Sequence, residues 1–380
     1  MIKIGVIGAD RRGSLARRAH DPENGVRLVG GSTLFPEKLK WMHETYGPGF
    51  FLTDDYVELL KQPLDAVFVC TPDYLHEKHA LAAIESGRDV FLEKPMAITV
   101  EGCDRIISAA RKKGVRLYVG HNMRFFAVMK KMKALIDEGR IGRVQSIWCR
   151  HFISYGGDAY FKDWHSERRY SHGLLLQKGA HDLDVIHWLA GAYTTRVTGM
   201  GKLSVYDKLP RRSPSDPQLP VEFNPDNWPP KATSLYSPVI DVEDSSTLLL
   251  QLANGVQAAY LQSHYTPDDF RNYTVIGTEG RIENYGDHST AEKEAAIHLW
   301  NRRTGYEREG HEVFPVSHLE GGHGGADPAI VREFVAVLKG ATPTGATPLD
   351  ARMAVAAGYY GTESIRNGSC SYDIPPCAVE

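Results

Sequence analysis

The residues best suited to chemistry are Glu93-Lys94-Pro95, directly after the apolar run Val90-Phe91-Leu92. A lysine at the carboxyl end of a strand in an open α/β sheet points into the crevice where such sheets bind ligands. Pro95 removes a backbone donor and disfavours the helical region for Lys94, which holds the ammonium at the mouth of the fold. A second constellation is Gln177-Lys178-Gly179-Ala180-His181-Asp182-Leu183-Asp184. At helical spacing His181 and Asp184 share a face, so the carboxylate can orient or charge the imidazole. A histidine of this kind can move a proton to or from a hydroxyl near neutral pH. A histidine simply satisfied on a helix face fits the same spacing, and Leu183, Val185, Ile186, Trp188 and Leu189 pack one side of that helix into a core.

A third feature opens the chain. The strand Ile2–Ile7 runs into Gly8-Ala9-Asp10-Arg11-Arg12-Gly13. A dinucleotide fingerprint calls for Gly-x-Gly-x-x-Gly here: one glycine turns, the second admits the pyrophosphate, the third packs the helix. Asp10 takes the middle position. Aspartate tolerates positive φ better than most residues, but its carboxylate stands where two phosphates approach, and Arg11 or Arg12 could compensate that charge. The second strand ends in Gly31-Ser32-Thr33 with Lys38 slightly beyond, where an acidic residue would grip the ribose of NAD. Its absence leaves room for a 2′-phosphate and leans towards NADP. An ordinary strand–turn–helix would also satisfy this loop.

These groups need a frame. Ile2–Ile7, 26–30, 66–70, 90–92 and 116–119 are apolar runs of strand length, separated by helical stretches such as 76–86 and 100–113, the latter stopped by Gly114. Such alternation predicts a parallel, doubly wound α/β sheet. From about Phe125 the pattern changes. A helix over 129–137 precedes a region dominated by strands, with hairpins expected at Asn254-Gly255 and at Gly277-Thr278-Glu279-Gly280. Two helices close the chain, one capped by Asp327 with Pro328 at its first position, the other running from about Asp350 to Arg366. The proline-rich stretch from Pro210 to Pro238 reads as a long surface excursion, a lid or an oligomer contact.

Bulk properties exclude several functions. A chain of 380 residues suits two domains, and a formal charge of −3 leaves no footprint for nucleic acid or an anionic membrane. No apolar stretch approaches the roughly 20 residues that span a bilayer. The start goes straight into a strand, so no signal peptide is expected. Cys70, Cys103, Cys149, Cys370 and Cys377 are scattered; Cys370 and Cys377 could reach each other, but free thiols in a reducing compartment fit better. The expected location is cytoplasmic. A metal site from His151, His165, His172 and His181 lacks tight ligand spacing, so none is expected.

The ordered set of the glycine loop, Thr71-Pro72 with His76, Glu93-Lys94-Pro95, Asn122 with Arg124, and His181 with Asp184 resembles the glucose–fructose oxidoreductase / inositol dehydrogenase (Gfo/Idh/MocA) family over nearly the whole chain. Tyr160-Phe161-Lys162-Asp163-Trp164-His165, with Gly173-Leu174-Leu175, and Gly321-Gly322-His323-Gly324-Gly325 resemble one branch of it. The resemblance implies an N-terminal Rossmann domain over residues 1–124. It also implies a C-terminal α+β domain over 125–380, built on a large, mostly antiparallel open sheet, for substrate binding and assembly into a homodimer or homotetramer. It implies NAD(P)-dependent oxidation or reduction of a sugar or cyclitol carbon. Lys94 would contact the reacting hydroxyl and His181 would accept its proton. Glu93, Asn122, Thr71, Pro72 and His76 would serve the cofactor; Arg124, Trp164, His165, Gln177 and Asp184 would meet the substrate. Trp164 fits a core position equally well, and Arg124 a structural ion pair. One departure matters. Many members carry Asp four residues before the histidine, where Gln177 stands here; glutamine can orient a hydroxyl but cannot take its proton. Together with Asp10 and Thr33 it opens two other readings: an NAD-dependent glycosidase working by transient oxidation and elimination, with His165 or His323 as an extra acid, and a sugar-binding relative without turnover.

Overall fold

The computed structural model describes residues 1–35, 40–216, 223–232 and 235–377; Lys38 lies outside them. The chain divides into two compact units. The first comprises Met1–Phe125, Gly321–Arg352 and Cys377–Glu380, and the second Phe126–Glu320 and Met353–Pro376.

In the first unit, β1 (Ile2–Ile7), β2 (Val26–Ser32), β3 (Phe51–Thr53), β4 (Ala66–Val69), β5 (Asp89–Leu92) and β6 (Leu117–Val119) form a sheet in the order β3-β2-β1-β4-β5-β6. Every pairing is parallel. The sequence dictates this: all four residues of β4 and the last four of β1 are buried, as strands covered on both faces must be. It is the doubly wound order, with its switch between β1 and β4. Register aligns Ile7 with Val69 and Val69 with Leu92, so Gly8, Cys70 and Glu93 leave the sheet side by side at its carboxyl edge.

The helix Val100–Lys113 keeps the bounds its pattern predicts, with Gly114 left-handed at φ 70° and Thr99 accepting from the Gly102 N–H at 3.0 Å. The helix Ala326–Leu338 belongs to this unit as well. Its Phe334 packs on Phe68, Phe91 and Tyr118, with ring centroids 5.3, 5.4 and 5.7 Å away. Each such aromatic pair adds roughly 0.5–1.5 kcal/mol beyond area burial. Asp327 does not cap this helix, contrary to the sequence expectation. Gly325 is the cap residue at φ 82°, and the Asp327 carboxylate is drawn off by Arg12.

The second unit holds β7 (Val144–Phe152), β8 (Thr194–Lys202), β9 (Ser245–Leu252), β10 (Gln257–Ser263), β11 (Phe270–Gly277), β12 (Arg281–Tyr285), β13 (Ala295–Trp300), β14 (Glu312–Val316) and β15 (Tyr372–Asp373). They form one open sheet in the order β14-β13-β12-β11-β7-β10-β9-β8-β15. Only β7 and β10 run parallel. The Asn254-Gly255 turn joins β9 to β10 as expected, with Gly255 at φ 86°. β11 and β12 form the second hairpin. The helix Gly179–Ala190 packs on β7, and its Gly179 and Asp182 meet Tyr260 of β10. The described parts of the proline-rich excursion form short turns at Pro225–Asn227 and Pro230–Ala232. Tyr206 and Tyr236 anchor this region, Tyr206 stacking on Phe161 at 4.0 Å. Among the described residues no helix is long and apolar enough to cross a membrane.

Candidate active site

In the first unit the glycine loop is a cradle that tolerates no side chain at two points. Gly8 sits at φ 80°, where an added Cβ would lie 2.9 Å from the Cys70 backbone. A Cβ on Gly13 would lie 2.1 Å from the Gly8 carbonyl oxygen. The Gly8 and Ala9 N–H groups both donate to the Ser32 carbonyl at 2.9 Å, tying the loop to the end of β2. Positive φ falls on Arg11, at 45°, and not on Asp10, which is extended at −84°. The Asp10 carboxylate turns onto the Arg11 N–H at 2.8 Å and caps the 3-10 stretch Arg11–Ala19.

Arg12 is committed to two carboxylates. Its Nε donates to Glu93 at 2.7 Å, and its terminal nitrogens donate to the two Asp327 oxygens at 2.9 and 3.0 Å. Asn122 donates to Asp327 at 3.1 Å, and His323 Nδ1 lies 2.9 Å from it. Burial opposes charge on both partners, but Glu93 and Asp327 outweigh it and push the Arg12 pKa up. Bonds from His323 and Arg12 likewise outweigh burial and hold the Asp327 carboxyl well below the usual carboxylate range. The other Glu93 oxygen accepts from the Lys94 backbone N–H at 3.0 Å. Glu93 therefore joins the lysine turn to the glycine loop.

His76 bridges the Pro95 and Thr71 carbonyls at 2.6 and 2.7 Å, and His79 meets the Thr71 hydroxyl at 3.0 Å. Burial lowers the pKa of both, that of His79 to about 4 with help from Lys78 and His76. Thr71 and Pro72 stay partly open, and Ser32 and Thr33 are buried. Arg124 is buried and pairs with Asp350 at 3.1 Å, which gives it a structural partner within its own unit.

In the second unit a polar cluster centres on Asp182, which is fully buried. It accepts from His151 Nδ1 and Tyr260 Oη at 2.8 Å and from Tyr273 Oη, and it forms an ion pair with the Arg271 guanidinium at 3.1 Å. Burial would raise its carboxyl; Arg271 and His151 overcome that and hold it far down. Burial and Arg271 lower His151 to about 4. His181 is partly exposed on the same helix, while Asp184 and Gln177 are buried. His165 stacks on Trp164 at 3.7 Å, and its Nδ1 meets Asp163 at 2.5 Å. His172 stacks on Tyr359 at 4.1 Å, away from any joint ligand set with His151. Among the described residues no group of potential ligands could hold a metal ion. Asp182, Arg271, Tyr260, Tyr273, Tyr155 and Asp327 were not singled out from the sequence as site residues. One signal was available: Tyr260, Gln262 and His264 place polar groups at period two on a buried strand face.

A family model described as an oxidoreductase family with an NAD-binding Rossmann fold matches residues 2–121, and one for the GFO/IDH/MocA C-terminal domain matches 129–283. The chain belongs to the Gfo/Idh/MocA family. It is accordingly an oxidoreductase with a nicotinamide-dinucleotide-binding Rossmann domain. It is 26% identical to YteT of Bacillus subtilis over 325 residues, 75% of each chain. It is 32% identical to an inositol 2-dehydrogenase of Ralstonia nicotianae over 193 residues, 50% of this chain and 55% of that one. YteT apart, the matches span about half the length of these curated relatives, from 47% to 57%. The structure of a levoglucosan dehydrogenase with NADH and levoglucosan shares the fold. Its TM-score is 0.76 at 20% identity, over 98% of this chain and 99% of that one.

Proposed function

We propose that this chain transfers a hydride between a nicotinamide cofactor and a carbinol carbon of a sugar, sugar derivative or cyclitol. The observation that carries the reading is the double engagement of Glu93, which holds the Lys94 backbone at 3.0 Å and Arg12 of the glycine loop at 2.7 Å. The lysine and the nucleotide loop are one hydrogen-bonded assembly. The loop suits a dinucleotide in its first and third glycines: a Cβ at Gly8 would strike the Cys70 backbone and one at Gly13 the Gly8 carbonyl, so the tight turn and close packing of the fingerprint are kept.

Gly8, Ala9, Asp10, Arg11 and Gly13 would hold the pyrophosphate, with Ser32 and Thr33 towards the adenosine ribose. Thr71, Pro72, His76 and Asn122 would line the crevice, and Arg12 and Glu93 would brace it. A bound nicotinamide supplies the hydride acceptor or donor. Lys94 contacts the reacting hydroxyl and favours its alkoxide character, a charge effect that is large where water is excluded. His181 takes the hydroxyl proton on a ring nitrogen. Asp184 and Gln177 orient neighbouring hydroxyls, and Trp164 and His165 offer a ring face and a donor to a polyol. Arg124, already paired with Asp350, supports the first unit instead of touching substrate. A homodimer or homotetramer, in the cytoplasm, belongs to the same proposal.

With no acid at Ser32-Thr33, NADP(H) binds at least as tightly as NAD(H). Fluorescence titration of both nucleotides tests this. A tenfold preference for NAD(H), about 1.4 kcal/mol, removes the NADP assignment and leaves the fold untouched. The function itself is tested by following reduced-nicotinamide absorbance with a panel of sugars and cyclitols. Reduction driven by at least one member is expected; no reduction by any member, with either nucleotide bound, contradicts the proposal.

A further inference from the structure

One capable group is left unused by the reading above. Lys178 stands between the helices Leu174–Gln177 and Gly179–Ala190, in helical conformation and three residues before His181. Residues so spaced occupy one helix face. Its Nζ lies 2.8 Å from Tyr155 Oη and sits over the rings of Tyr155 and Tyr160, 5.3 and 5.8 Å from their centroids. It forms no ion pair among the described residues.

The charges around it explain why. Asp182 is held by His151 and Arg271, and Asp287 is shared by Arg271 at 3.4 Å and His288 at 2.7 Å. Asp269 accepts from the Ser154 N–H at 3.0 Å. Burial holds His151 and His264 low, so neither adds charge at neutral pH. Lys178 is left half-buried, within the field of the Arg271 cation, with a phenol as its hydrogen-bond partner. Burial first and Arg271 second bring its pKa down to about 7, against the pull of Asp182, Asp287 and Asp269. Tyr155 moves the other way, up to about 12 by burial, and stays a phenol. Both residues remain partly exposed.

We propose that Lys178, bonded to Tyr155, is the proton relay that resets His181 in each turnover. The inference rests on the function proposed above. In the oxidation the C–H bond breaks and its electron pair leaves as hydride to the nicotinamide, while the O–H bond breaks and its electrons close the carbonyl. The proton first taken by His181 passes to the neutral amine of Lys178, which becomes an ammonium bonded to Tyr155 and releases the proton to solvent. Reduction runs the same path backwards. Gln177, beside it, has no proton to exchange in this range.

The test begins without cofactor or substrate. Lysines of the intact protein are labelled by reductive 13C-methylation, and the resonance absent from Lys178→Met is titrated. It is expected to titrate near pH 7; a midpoint in the ordinary range, about 10.4, overturns the relay. Hydride transfer is then followed against pH. The wild type should rise through the same midpoint. Lys178→Met should lose that limb and about 10²-fold in rate at higher pH, and Lys178→Arg, always charged, should stay at the low-pH rate. A limb near 7 that survives in both variants overturns the relay. Should the methionine variant not fold, the arginine variant identifies the resonance and supplies the profile. Ordinary titration with normal turnover refutes the relay alone; titration near 7 without turnover on any sugar or cyclitol refutes the proposed reaction and the relay with it.

Discussion

Arg12 and Asp327 meet through two parallel hydrogen bonds, Nη1 to Oδ2 at 2.9 Å and Nη2 to Oδ1 at 3.0 Å, across 315 residues of sequence. Paired charged bonds of this geometry are the strong ones. They fasten the glycine loop to the helix Ala326–Leu338, and they engage Arg12 with a carboxylate, which removes it as the compensating charge for a phosphate.

The pair makes acid stability testable. The folded pKa of Asp327 is depressed, whereas an unfolded aspartate titrates near 3.9. Above that value both states are ionised and the stabilisation is complete. As pH falls below it the unfolded chain takes the proton first, so stability is lost towards the folded pKa. Asp327→Asn should therefore be less stable at pH 7, by on the order of 1–3 kcal/mol, and should lose less on going from about pH 4 to 2. Denaturant unfolding across that range measures it; parallel acid limbs in the two proteins would contradict it.

This bond also marks where the sequence stops being legible. The strands Ile2–Ile7 and the helix Val100–Lys113 could be read because burial pattern, cap and terminal glycine are local. Asp327-Pro328 carries the local signature of a helix start, and only the tertiary fold reveals Arg12 as the stronger claimant. The lysine turn was legible as a strand end, but its brace through Glu93 depends on β1, β4 and β5 ending in register. In the second unit, Tyr260 and Tyr273 both pair in register with Cys149, which sets their hydroxyls on Asp182 from either side. A strand order that places β7 between β10 and β11 is not written in any local pattern.

The glycine cradle gives a binding prediction. A methyl group on residue 13 would lie 2.1 Å from the Gly8 carbonyl oxygen, closer than any real contact. Gly13→Ala should shift the loop and weaken nucleotide binding by at least about tenfold, roughly 1.4 kcal/mol, by fluorescence titration. Parental affinity in this variant would show that the loop does not hold the nucleotide.

His181 is partly exposed, and its removal should lower the rate far more than it lowers stability. His181→Ala should lower hydride transfer by about 10²–10⁴-fold, the usual worth of general acid–base help. Turnover and thermal unfolding on the same preparation separate the two effects. A near-parental rate would make His181 structural.

Lys94 is tested most directly by pairing a cofactor titration with single-turnover hydride transfer in Lys94→Ala, on the sugar or cyclitol that the wild type reduces or oxidises. The Glu93 bond to the Lys94 backbone does not need the side chain, so the loop should hold the nucleotide at its parental affinity. Hydride transfer should fall by several kcal/mol of lost charge stabilisation, below detection in a single turnover. Transfer retained at the wild-type rate with the nucleotide bound would contradict Lys94 as the residue that contacts the reacting hydroxyl.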